Sequence, residues 1–127
     1  NADTWLGGGI NEMSAAEAPA LAVVELENTD RYGRVFFDRD YRITSFKEKS
    51  KGSGAGWINA GLCKLNSRYF EGWSGAAFSL ERDLYGPLAD EGNIIAVELQ
   101  CDFMDIGIPK DYMKFCHWIK EGKVEKL

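Results

Sequence analysis

A carboxylate that closes an apolar segment and is followed at once by a glycine turn and a proline is an arrangement that builds ligand sites. Residues 105–112, Asp-Ile-Gly-Ile-Pro-Lys-Asp-Tyr, have this form and come straight after the apolar stretch 93–104. Strand ends in α/β sheets are where ligands bind. Asp105 has a candidate partner at the other end of the chain, Asp3. Two carboxylates brought together by a fold can hold a hard divalent cation over a phosphate.

Other residues carry chemistry less specifically. Glu48 and Lys49 stand side by side after the apolar residue Phe46. A carboxylate accepts hydrogen bonds from sugar hydroxyls, and an ammonium pairs with a phosphate. Ideal strand alternation would send the two to opposite faces, and a strand that ends there relaxes that rule. Such a pair is more often plain solvated surface. Asn59 is polar within a strand-like run, and Gly61 leaves room for a ligand or another backbone. A bulge with a side-chain-bonded Asn explains these two equally well. Arg31-Tyr32-Gly33 reads only as a turn. Gly7 to Gly9 lack the following Lys-Ser/Thr of a phosphate loop. His117, the only histidine, has no nucleophile context and reads as packing or surface. The four tryptophans, Trp5, Trp57, Trp73 and Trp118, read as core anchors.

These side chains need elements to hold them. Residues 5–19 read as a flexible loop with a short helix, and residues 20–27 as a strand buried at its start. Residues 34–38 and 42–46 flank a polar turn and predict a β-hairpin. Residues 51–56 read as a loop, and 57–65 as a strand interrupted at Gly61. Ser79 is a good N-cap for a helix from Leu80, which Pro87 and Gly92 end or kink. Residues 94–104 predict the longest strand. Pro109 suits a helix start, and Tyr112, Met113, Phe115, Cys116, Trp118 and Ile119 give that helix a wide apolar face before Gly122 stops it. Strands alternating with helices, plus a hairpin, predict an α/β domain with a mixed sheet flanked by helices.

Composition bounds the rest. The 127 residues suit one domain spanning the chain, with 45% apolar and 28% charged residues. A net charge of −5 with interspersed signs excludes a general nucleic-acid surface. No apolar run is long enough to cross a membrane, and the acidic, Gly-rich start is unlike a signal peptide. Three widely spaced cysteines, Cys63, Cys101 and Cys116, read as free thiols in a reducing cytosol rather than a disulfide or zinc framework. The chain does not open on Met, which reads as a processed or truncated product.

The order of the pieces is more specific than any one of them. Asn-Ala-Asp at 1–3, Arg-Tyr-Gly at 31–33, Phe-Lys-Glu-Lys at 46–49, Asn-Ala-Gly at 59–61, Phe-Ser-Leu-Glu-Arg-Asp at 78–83 and the segment 105–112 run in sequence. The set resembles the C-terminal half of the sugar-1-phosphate nucleotidyltransferases. The mannose-1-phosphate and heptose-1-phosphate guanylyltransferases are the nearest type. This implies a partial, Rossmann-like nucleotidyltransferase fold without its N-terminal half.

The resemblance also implies roles. Asp3 and Asp105 match the two metal-binding aspartates, with Mg²⁺ as the implied cofactor. Ala2 replaces a usual Gly before the first, and Ile108 a usual Thr after the second. Gly33 matches a backbone that contacts the sugar, Glu48 the carboxylate that binds sugar hydroxyls, and Asn59 a residue lining the sugar pocket. Lys49 matches the catalytic lysine that neutralises the sugar phosphate. In the family reaction a sugar-1-phosphate oxygen attacks the α-phosphorus of an NTP in line, and pyrophosphate leaves. Positioning two anions and neutralising developing charge is the protein's task.

The family's Gly-rich loop with its Arg and Lys, which grips the triphosphate, is not in this chain. The isolated chain is therefore expected to bind a sugar-1-phosphate, to take NTP only when the absent half is supplied, and not to turn over alone. Two other readings stand beside this one: a stand-alone sugar-phosphate-binding or regulatory module, and a self-associating structural relic. A bared sheet edge or apolar face would then make homo-oligomers.

Overall fold

Burial on both faces marks an interior strand. In the computed structural model, which describes residues 3–124, β2 (Ala20–Leu26) buries its first five residues. Ala20, Ala22 and Val24 enter one core cluster, and Leu21 and Val23 the other. A strand apolar on both faces belongs in the middle of a covered sheet. It sits there, in a five-stranded mixed sheet. The other members are β3 (Arg34–Phe37), β4 (Ile43–Lys47), β5 (Gly56–Lys64) and β6 (Ile95–Glu98). The order is β4-β3-β5-β2-β6. Only β2 and β6 run parallel.

Helices cover both faces. On one, Leu84, Tyr85, Leu88 and Ala89 pack on Leu21, Val23, Val35 and Ile43. They come from a wide π-type turn, Leu80–Tyr85, that runs directly into α2 (Gly86–Asp90). On the other, Met13 of α1 (Ile10–Ala15) joins Ala20, Ala22, Val24, Ile58 and Leu99. Burial raises the ionisation point of the Tyr85 phenol, which keeps it neutral inside its cluster.

Ser79 caps as expected. Its side chain accepts from the Arg82 N–H at 3.3 Å, and Asp83 Oδ2 accepts from the Ser79 N–H at 2.8 Å. This reciprocal pairing satisfies two donors at the helix start. Ser79→Ala is expected to lower unfolding free energy by about 1 kcal/mol in urea titrations. The Arg82 hydrogen bond, then the Ser79 N–H, holds the Asp83 carboxyl below its ordinary value. Its contribution is therefore present above the ordinary carboxylate range and is lost as pH falls through the lowered value.

Three expectations need correction. The single strand over 94–104 is two strands in two sheets. β6 ends at Glu98, and β7 (Phe103–Asp105) pairs antiparallel with β1 (Thr4–Leu6), a strand that lies where a loop is expected. The Leu99 N–H still donates to Val23 O at 2.9 Å, after which the chain turns. Polar Gln100 and Asp102 mark the departure, and the Gly7 N–H receives the chain at Asp102 O, 2.8 Å away. The C-terminal helix α3 (Pro109–Lys120) forms as expected, but none of its residues is fully buried. It lies against the narrow β1–β7 ladder, where Phe115 and Trp118 pack on Trp5 at 5.5 and 5.8 Å between ring centroids. So short a ladder covers only one stripe of the helix, and Met113 stays 66% exposed. Trp73 is likewise no core anchor: it is exposed, and its indole N–H donates to Ala76 O at 3.0 Å.

The sheet's outer strands also meet each other. The Ile43 N–H donates to Ile94 O at 2.9 Å and the Ala96 N–H to Tyr41 O at 2.7 Å. The sheet is thus curled, and one end of each edge is already paired. His117 lies on the surface, 3.0 Å from Glu121. Among the described residues no helix is long and apolar enough to cross a membrane.

Candidate functional site

The β1–β7 register sets Thr4 opposite Asp105. Asp3 therefore falls one step before the paired segment, beside the turn that follows Asp105. The Ile106 N–H donates to Asp3 O at 2.7 Å and fixes that arrangement. Gly107 sits between the two side chains. A β-carbon built on it would lie 2.9 Å from Asp3 Oδ2 and 3.0 Å from Asp105 Oδ1. Both oxygens thus lie within 3.0 Å of one point, in a cradle that any side chain at 107 would fill. Asp105 Oδ1 also accepts the Gly107 N–H at 3.0 Å.

Among the described residues no group of three or more His, Cys, Asp or Glu is set for a metal ion. Two carboxylates are nevertheless what Mg²⁺ uses when it keeps several waters and shares substrate phosphates. The paired oxygens and the Gly107 cradle fit such an ion, with Asp3 and Asp105 as the residues that would hold it.

A second set gathers at one end of the sheet. Arg34 pairs with Lys47 on β4 and with Ile58 on β5. One residue further along each strand stand Gly33, Glu48 and Asn59, so the register brings these three into one row. Lys49 follows Glu48, and both are exposed on the segment leaving β4. A β-carbon at Gly33 would come within 3.2 Å of Lys47 O, so its bareness lets the two strands close up. Asn59 Oδ1 accepts the Gly61 N–H at 2.9 Å, and Gly61 has a left-handed φ of 80°. That bulge breaks the β2–β5 register between Leu21 and Val23. It also lets β5 pass close to Thr4, whose Oγ1 lies 3.4 Å from where a Gly61 β-carbon would be.

The loop 28–33 joins the two sets. Buried Thr29 gives both its N–H and its hydroxyl to Gly54 O, at 3.0 and 2.9 Å. Asp30 Oδ1 accepts the Ser53 N–H at 3.0 Å. The loop is thereby locked to the segment that follows Glu48 and Lys49. Its other end docks on β7, where Tyr32 meets Phe103 edge-on at 5.6 Å. Burial pushes the Tyr32 phenol up, and the charge of Arg31 pulls it the other way.

Arg31 and Asp111 are the residues that sequence reasoning left without a role. Arg31 Nη2 donates to Asp105 Oδ2 at 2.7 Å and Nη1 to Asp111 Oδ2 at 2.5 Å. The Asp111 hydrogen bond raises the Arg31 ionisation point further, so the guanidinium is always charged. Arg31, Asp105 and Asp111, with Lys114, line a cleft of about 540 Å³ between the loop and β7. No local signal reveals these pairs, because the partners stand 74 and 80 positions away from Arg31.

Comparisons with known proteins show what the chain and its fold are similar to. No protein-family model matches the chain. It is 31% identical over 93 residues to "Mannose-1-phosphate guanylyltransferase catalytic subunit beta" of Drosophila pseudoobscura pseudoobscura, covering 73% of this chain and 25% of that protein. It is 33% identical over 94 residues to the protein of the same name from Danio rerio, covering 73% and 26%. The fold is similar to the crystal structure of HddC from Yersinia pseudotuberculosis, with a TM-score of 0.77 and 32% identity over 94% of this chain and 53% of that one. A second structure of HddC, complexed with GMP-PN, gives a TM-score of 0.74 and 30% identity. The chain thus spans about a quarter of the length of those curated relatives and about half of HddC.

Proposed function

We propose that this chain, a relative of the sugar-1-phosphate guanylyltransferases, forms in a single domain the sugar-phosphate and metal side of a nucleotidyl-transfer site. The observation that carries this is the convergence of Asp3 Oδ2 and Asp105 Oδ1 on the Gly107 cradle. It occurs in a chain whose relatives are named for that transfer.

In this reading the sugar-1-phosphate lies at the row of Gly33, Glu48 and Asn59. The Glu48 carboxylate accepts hydrogen bonds from sugar hydroxyls, and Gly33 offers backbone at close range. The Lys49 ammonium neutralises the sugar phosphate and holds its oxygen for in-line attack on a nucleotide α-phosphorus, from which pyrophosphate leaves. Asn59 shapes the pocket from β5, its own carbonyl engaged by Gly61. A divalent cation at Asp3 and Asp105 would supply charge neutralisation on the phosphoryl oxygens. The chain carries no Gly-rich Arg/Lys loop, so in this reading the triphosphate grip comes from another segment or partner, and the isolated chain binds without turnover. Three free cysteines support a reducing cytosol as the workplace. Self-association would use the exposed face of α3.

Mn²⁺ titration followed by electron paramagnetic resonance tests the metal side. Saturable binding is expected, weakened at least about tenfold in Asp3→Asn and in Asp105→Asn, because each removes one of two charged ligands. Equal affinity in all three proteins would overturn the reading.

A further inference from the structure

Among the described residues, Arg31 is the one strong cation placed directly on a proposed metal ligand. It comes from a loop locked to the sheet by Thr29 and Asp30. Its guanidinium lies 5.4 Å from the centroid of the Tyr32 ring, which supports it from one side. Two carboxylates hold the fork: Asp105 from the end of β7, and Asp111 from the first turn of α3. Asp105 is thereby divided. Oδ1 faces Asp3 across the Gly107 cradle, while Oδ2 is taken by Arg31.

We propose that Arg31 is an internal counter-cation for the Asp3–Asp105 pair, a positioning residue that holds down the pair's affinity for a bare divalent cation. The inference rests on the metal reading given above. A guanidinium bonded to one oxygen of a carboxylate withdraws charge from the other. It also stands within a few ångströms of any ion on Oδ1, and a +1 and a +2 charge at that range repel each other even in water. Site occupancy is then weak for the ion alone. It becomes favourable when the ion arrives with an anionic group that offsets the Arg31 charge.

The tests use Mn²⁺ alone with the intact chain. Arg31 is 43% exposed at its side chain, so substitution leaves both core clusters untouched. Arg31→Gln is expected to tighten Mn²⁺ binding about three- to tenfold at low salt, with the gain shrinking as ionic strength rises. Arg31→Lys keeps the charge beside the pair but cannot bridge both carboxylates, and is expected to tighten Mn²⁺ binding clearly less than Arg31→Gln does. A purely structural role for Arg31 would move the melting temperature of both variants and leave Mn²⁺ affinity alone. Unchanged or weaker Mn²⁺ binding in Arg31→Gln overturns the proposal, as does a gain of equal size in Arg31→Lys. The outcomes separate from those of the metal reading. If Asp3→Asn abolishes binding but Arg31→Gln does not tighten it, the inference about Arg31 alone fails. If Asp3→Asn leaves binding intact, the metal reading fails with it.

Discussion

Gly107→Ala is expected to weaken Mn²⁺ binding by at least about tenfold while changing unfolding free energy by less than about 1 kcal/mol. The argument starts from two distances, 2.9 Å to Asp3 Oδ2 and 3.0 Å to Asp105 Oδ1, from the point an added methyl would occupy. Asp105 has little freedom to retreat, since its oxygens are held by the Gly107 N–H and by Arg31. Asp3 is exposed and can swing aside cheaply. The fold is therefore spared, because the moving part is the tip of a surface side chain rather than packed core. The ion is not spared, because two ligands that no longer converge cannot both reach one Mg²⁺-sized centre. Titration with Mn²⁺, paired with thermal melts of the same samples, separates the two effects. Parent-like affinity in a folded Gly107→Ala would show that the carboxylates do not act together.

Ile58→Ala is expected to cost about 3 kcal/mol of unfolding free energy, the usual size for emptying a well-packed site. Ile58 is fully buried on β5. It pairs with Val24 on one side and Arg34 on the other. Its neighbours Ala20, Ala22 and Ala60 are small and cannot move in to fill the space it leaves. Ile108→Ala is the contrast. That side chain is 37% exposed beside the proposed site, and its loss should fall within about 0.5 kcal/mol. Urea titrations with unchanged slopes would give both values directly. Similar losses at the two positions would mean that the sheet's inner face is not the stabilising layer.

The sequence shows best what depends on local periodicity. The two-sided burial of β2 is visible in Ala20 to Leu26, and the β3–β4 hairpin in the apolar runs flanking Asp38 to Tyr41. Pro109 and Gly122 bracket α3 as their stereochemistry dictates. The break between β6 and β7 was not legible, because an apolar run does not record which sheet each half joins. β1 was hidden for a related reason: three residues after a chain start carry too little pattern, and only their partners in β7 make them a strand.

The candidate site divides the same way. The acidic pair is suggested by the carboxylate, glycine turn and proline at 105–109, while the row of Gly33, Glu48 and Asn59 stands out only through the order of short motifs along the chain. No single motif carries that weight. Arg31 and Asp111 lay inside quoted motifs and still had no visible role, because their meaning comes from residues that tertiary structure alone brings near.

The β1–β7 ladder pairs residues 4–6 with residues 103–105, and the two proposed metal aspartates, Asp3 and Asp105, lie at one end of it. The partners stand about 100 positions apart, and a non-local pairing must overcome the entropy of closing that loop before it is rewarded. Partly folded forms that keep the five-stranded sheet but have not formed this ladder would lack the proposed cation site. An ion that binds only the joined form draws the population toward it by mass action. Under the proposed function, cation occupancy would therefore report whether these two distant segments have found each other, which would make the bound metal a sensor of complete folding.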